Sequence, residues 1–133
     1  MSPKRTHKHI IMALGVTLML QGCGTIQNWI PSFWDDNQSA KIIDIRQGAH
    51  NIDCTKDQKQ QATELWQNIQ WFELYSTSKG SSQNDVLRMI EPMKKTVTDW
   101  KNRENPSTAY CELKKKIIKT QADKAANSVL WRF

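Results

Sequence analysis

The side chains able to do nucleophilic, acid–base or metal chemistry are few: three histidines, three cysteines and thirteen carboxylates. His7 and His9 stand among the first nine residues, in a segment that reads as discarded on export, which leaves His50. One histidine without spare thiols cannot build the usual zinc sets, so no metal site is expected. A Ser-His-Asp arrangement would need His50 beside a serine on another element. A solvated place near a helix C-terminus, where its charge suits the dipole, is the simpler reading. Paired carboxylates would support glycoside cleavage, and Glu64, Glu73, Glu91, Glu104 and Glu112 are candidates by type. Their neighbours are polar helix-surface residues, and no pair is singled out. Five glycines in the whole chain form no phosphate-cradling loop. The expectation is a protein that is not an enzyme and holds no cofactor.

The N-terminus is more informative. Lys4, Arg5 and Lys8 form a positive region with no acidic residue, and Ile10 to Leu20 (IIMALGVTLML) adds eleven mostly apolar residues. That run is too short for a bilayer, which needs roughly 20 apolar residues, and the order of charge and apolar segment is that of a secretory signal. It closes on Leu20-Gln21-Gly22-Cys23. Leu20, Gly22 and Cys23 resemble the lipobox at which bacterial signal peptidases cut before a cysteine that carries lipid. Gln21 departs from the pattern, where small or β-branched residues are commoner. The resemblance covers residues 1–24 and implies a signal peptide over 1–22 and acylation (palmitate among the chains) of Cys23. Two or three acyl chains, at about 0.8 kcal/mol per buried CH₂, hold a protein stably on a membrane. Lipoprotein sorting retains proteins with Asp after the cysteine in the inner membrane, so Gly24 implies the outer membrane, with the domain facing the periplasm.

Removing residues 1–22 leaves 111 residues, enough for one modest domain. Sixteen basic residues then face thirteen acidic ones, so the precursor's +6 falls to +3. Much of the basic balance thus belongs to the leader, and a nucleic-acid partner is not expected. In an oxidising compartment Cys54 and Cys111 form a disulfide, the alternative being two unrelated buried thiols. Closing that loop would stabilise by about 4 kcal/mol, a large share of the roughly 5–15 kcal/mol typical of a domain.

The elements that must position these residues are helical. Residues 23–36 contain Pro31, show no sustained period and read as a lipidated, flexible tether before a domain over 37–133. Trp29, Phe33 and Trp34 stand out in that tether; they suit the headgroup region or fold back to cap the core. A first helix is predicted from near Ser39, capped by Asn37 or Ser39, with Ile42, Ile45, Ala49 and Ile52 on one face. Thr55 with Gln58 matches a capping box and opens a second helix to about Thr77. Its inner face is Ala62, Leu65, Trp66, Ile69, Phe72 and Tyr75, with Trp71 at the edge and Leu74 outside. The turn at 76–82 leads to a third helix opening at Ser82. Val86, Ile90, Met93, Val97 and Trp100 step by 4, 3, 4, 3, and Pro92 is expected to kink it. Asn105 as cap and Pro106 as first residue start a fourth helix, with Tyr110, Leu113, Ile117, Ile118, Ala122, Ala125 and Val129 inward. Lys115, Lys116 and Lys119 point the other way, whereas Lys114 falls among apolar positions and must snorkel or pair.

No alternating strand pattern occurs, so the expected fold is all-α, an antiparallel four-helix up-down bundle. That topology brings Cys54, after the first helix, to the end where Cys111 begins the fourth. It also brings Trp29, Phe33 and Trp34 to the end where Leu130, Trp131, Arg132 and Phe133 finish the chain, as an aromatic cluster for docking or as a satellite core. Residues 101–133 hold eight basic and three acidic residues, against four and five over 23–60. The basic face of Lys115, Lys116 and Lys119 suits anionic lipid, lipopolysaccharide, peptidoglycan carboxylates or an acidic partner, or is an ordinary solvated face. The expectation is a lipid-anchored envelope interaction or assembly module with a protein partner. It is similar in build to pilotins, the small helical lipoproteins that escort secretins, without a shared motif. Direct binding of anionic lipid or peptidoglycan is the alternative, and a glycan-cleaving enzyme the remotest.

Overall fold

A computed structural model of the chain describes residues 35–131. The chain divides into Met1–Ser32 and Phe33–Phe133, and all described residues belong to the second unit. They form four helices: α1 (Asp36–His50), α2 (Gln58–Ser78), α3 (Asn84–Asn102) and α4 (Thr108–Leu130), with a 3₁₀ turn at Ser81–Gln83. No strand occurs among the described residues. Each helix packs against its sequence neighbours, and α1 closes against α4. A disulfide joins Cys54, just after α1, to Cys111 in the first turn of α4, with the Cα atoms 5.7 Å apart.

The helix starts differ from the sequence reading, at α1, α2 and α4 because another side chain reaches the free N–H groups first, and at α3 because a 3₁₀ turn without a side-chain cap precedes Asn84. At α1 the cap is Asp35, not Asn37 or Ser39. Its carboxylate accepts from the backbone of Asn37 and Gln38 at 3.0 and 3.1 Å, and its charge suits the positive end of the helix dipole. At α2 the cap is Asp57, which accepts from the Gln60 N–H at 2.9 Å. Thr55 is spoken for, since its hydroxyl donates to Asp53 at 2.6 Å. At α4 Asn105 takes a left-handed turn (φ 47°), a conformation asparagine tolerates. Ser107 then caps, accepting from the Tyr110 N–H at 3.1 Å. Helix α3 follows the 3₁₀ turn and runs on through Pro92, which faces solvent.

The core is one cluster to which all four helices contribute. Val86, Ile90, Met93, Val97 and Trp100 are buried as their spacing predicts, and Trp100 donates its indole N–H to Gln58 Oε1 at 3.4 Å. Ile42, Ile45, Ala49 and Ile52 bury the α1 side; Ala62, Leu65, Ile69 and Phe72 bury the α2 side. Trp66 packs on this core only partly, and Ser76 is buried where Tyr75 was expected. The largest departure is in α4. Its buried stripe is Cys111, Ile118, Ala122, Ala125, Ala126 and Val129, while Leu113 is 56% exposed and Ile117 37%. Joining Cys111 to Cys54 fixes the rotation of α4, and alanines then face inward where the neighbouring helices approach. Leu113 and Ile117 are turned away from the centre, while Tyr110 is partly buried and packs against the core. Lys114 pairs, as expected, reaching Asp99 at 3.7 Å with its side chain 15% exposed.

Candidate functional site

Two groupings of charged side chains outside the core join more than one element. The first is a groove of about 420 Å³ between the C-terminal end of α1 and the first half of α4, lined by His50, Lys115, Lys116, Lys119 and Asp123, with Glu112 and Thr120 at its side. The His50 ring Nε2 donates to Asp123 Oδ1 at 2.9 Å, and Arg46 Nε donates to the same oxygen at 2.8 Å. The bond from His50, with Arg46 behind it, outweighs partial burial and holds the Asp123 carboxyl below the usual range. His50 does end a helix, as expected, but it is paired rather than simply solvated. A histidine–aspartate pair supplies two of the three members of a hydrolytic triad. The hydroxyl in the same groove, that of Thr120, donates instead to the Lys116 carbonyl at 3.1 Å.

Lys115, Lys116 and Lys119 form no ion pair among the described residues. Lys41, Lys56, Lys79, Lys94 and Lys114 each lie within 4.0 Å of a carboxylate, whereas Lys59, Lys95, Lys101 and Lys124, like the three groove lysines, do not. The basic face read from the sequence therefore lines a groove that also holds Glu112 and Asp123.

The second gathering lies where the chain enters α1. Asp35, with its side chain 8% exposed, meets Lys79 Nζ at 2.6 Å and accepts from the Tyr75 hydroxyl at 3.2 Å. Burial alone would raise its pKa; the bonds from Lys79, the Gln38 N–H and Tyr75 together outweigh that and lower it. The same bond to Asp35 raises the pKa of Lys79. Beside this, Gln38 donates to Ser76 Oγ at 2.8 Å and to Gln83 Oε1 at 3.0 Å. Trp71 stacks on Tyr75 with centroids 4.9 Å apart, and Lys41 and Lys79 sit over the two rings at 5.2 Å each. This end is a polar lock with an aromatic outer edge, in which the buried Ser39 hydroxyl alone lacks a partner among the described residues.

The carboxylates considered for glycoside cleavage are dispersed. Glu73 pairs with Lys94 at 2.7 Å and Glu64 accepts from Gln60 at 2.8 Å, both on α2. Glu91 on α3, Glu104 in the following loop and Glu112 on α4 face solvent. Among the described residues no group of three or more His, Cys, Asp or Glu could hold a metal ion, and no helix there is long and apolar enough to cross a membrane. Of the expected contact residues, Trp131 is described and is 89% exposed at the end of α4. Cys23, Trp29, Phe33, Trp34, Arg132 and Phe133 lie outside the described residues.

Sequence reasoning missed Asp35, Lys79, Arg46 and Asp123. Asp123 was within reach, because Lys116, Lys119 and Asp123 step by 3 and 4 along one helix side. Asp35–Lys79 and Arg46–Asp123 join distant helices, and no local spacing announces them. No family model matches this chain, and neither the curated proteins nor the solved structures give a match.

Proposed function

We propose that this chain is a lipoprotein of the bacterial envelope whose helical domain serves as a non-catalytic interaction or assembly module. The disulfide carries the reading. With Cys54 and Cys111 joined at 2.05 Å, the bond a small domain keeps in an oxidising compartment, Cys23 is the cysteine left to receive lipid. Signal-like residues 1–22 and the lipobox-like Leu20, Gly22 and Cys23 point the same way. Gly24 favours the outer membrane and a periplasm-facing domain.

The helices are read as an antiparallel up-down bundle. Three contacts support that: the start of α1 meets the end of α2 through Gln38 and Ser76, the end of α3 meets the start of α2 through Trp100 and Gln58, and the disulfide closes α1 on α4. Trp131, exposed at the end of α4, is read as a docking residue, and Trp29, Phe33, Trp34, Arg132 and Phe133 are assigned to the same contact from the sequence. The build is that of pilotin-like escorts. Direct binding of anionic lipid or peptidoglycan is the second reading, and it draws on the unpaired lysines of α4.

Affinity purification of the mature protein from detergent-solubilised envelopes separates the two. The interaction module predicts one stoichiometric protein partner, lost or weakened by Trp131→Ala without loss of the cooperative melt. Retention on isolated sacculi or on anionic liposomes, with no protein partner, would overturn it in favour of the second.

A further inference from the structure

We propose that the first two turns of α1, residues 36–42, form a latched strap that unwinds and recloses while the rest of the domain stays folded. This goes beyond the interaction-module reading and does not depend on it. Three observations carry it. The first is what the strap buries. Within residues 36–42 Ile42 is the one buried apolar side chain, and the other buried residues, Gln38 and Ser39, are polar. The rest of α1 buries Ile45 and Ala49, and Ile52 follows into the core. Loss of apolar burial is what makes opening costly, whereas a hydrogen bond broken on opening is exchanged for one to water at small net loss.

The second observation is the latch. Asp35 is held by Lys79 and Tyr75, Asn37 donates to the Tyr75 hydroxyl at 3.0 Å, and Gln38 donates to Ser76 and Gln83. All of these bonds run to the end of α2 and the turn after it, so they form and break together. The buried Ser39 hydroxyl, without a partner among the described residues, is a cost that the closed strap bears and an open one does not. The third is the anchor at the other end of α1. Arg46 and His50 both bond Asp123 of α4, and the Cys54–Cys111 disulfide fixes the chain just after the helix. Opening therefore stops short of the cross-linked end. It uncovers Phe72, which is fully buried. Phe72 lies on the same side of α2 as Asn68 and Ser76, which accept from Lys41 and Gln38 of the strap. The closed latch thus hides an aromatic ring that the open strap presents to solvent.

Hydrogen exchange on the full chain with its disulfide intact reads the device. Amides 39–42 should share one protection factor, about a hundredfold below that of amides 47–50, as a local opening requires. Low urea should barely change it, because the opening exposes little surface. Lys79→Met should speed the first group about tenfold beyond any change in the second, the loss of a bond to a charged group. Ser39→Ala, which removes the unpartnered hydroxyl, should slow the first group several-fold. Protection at residue 42 equal to that at 47–50 would reduce the strap to an ordinary frayed end and overturn the proposal. Equal acceleration of both groups by Lys79→Met would overturn it too, as would faster exchange in Ser39→Ala.

Discussion

Asp35 concentrates more consequence than any other polar residue of the domain. It caps α1, lies nearly buried and takes bonds from Tyr75 of α2 and from Lys79 just after it. Because its pKa is lowered in the folded state from an ordinary 3.8, the stability it contributes is present above that value. It is lost as pH falls through the lower, folded value. Replacement Asp35→Asn keeps a capping oxygen but removes the charge facing Lys79. It should therefore lower stability at neutral pH by about 1 kcal/mol and flatten the loss of stability below about pH 4. Urea titrations of both proteins from pH 2 to 7 read this out; parallel pH profiles would contradict it. Gly48 offers the opposite test. It is helical, exposed, and a Cβ there would meet Leu65 Cδ1 at an ordinary 3.5 Å. Gly48→Ala should stabilise by about 0.5–1 kcal/mol, and a lowered melting temperature would show that the α1–α2 contact has no room.

At the scale of the element, α4 shows where periodicity stops being sufficient. The α3 stripe was fully legible, because five large residues at heptad-like spacing leave one choice of face. Helix α4 was legible in part: Ile118, Ala122, Ala125 and Val129 are buried as read, but Leu113 and Ile117, read with them, are exposed, and Cys111 and Ala126 complete the buried face. The disulfide through Cys111 bears on that rotation, a long-range constraint that no window along the helix contains. The caps were misread for a related reason, since Asp35, Asp57 and Ser107 each compete with a neighbour of similar capping power. Of the groove, the lysines were legible and the Arg46–Asp123–His50 floor was not, because its members come from two helices. The rotation of α4 is testable directly. Ile118→Ala, at 0% exposure, should cost about 2–5 kcal/mol, whereas Leu113→Ala should change stability by about 0.5 kcal/mol or less. Chemical denaturation giving the reverse order would return α4 to the face its large residues prescribe.

For the whole molecule, a domain of this size leans on its covalent closure. The Cys54–Cys111 bond spans 57 residues of sequence and ties the two helices that are farthest apart along the chain. Its removal by Cys54→Ala/Cys111→Ala should cost about 4 kcal/mol, seen as a large fall in urea midpoint, with a steeper slope because the unlinked unfolded chain exposes more surface. A stability change under 1 kcal/mol would mean that α1 and α4 are held by packing alone. The disulfide occupies both cysteines of the domain, so on the proposed lipoprotein reading Cys23 is the cysteine that would carry lipid. Metabolic labelling with a fatty acid therefore tests the central claim most directly, in cells producing the wild type or Cys23→Ala. The account predicts label on a wild-type protein that has lost residues 1–22, and an unlabelled, unprocessed variant. Label persisting in Cys23→Ala, or absent from the wild type, would contradict it.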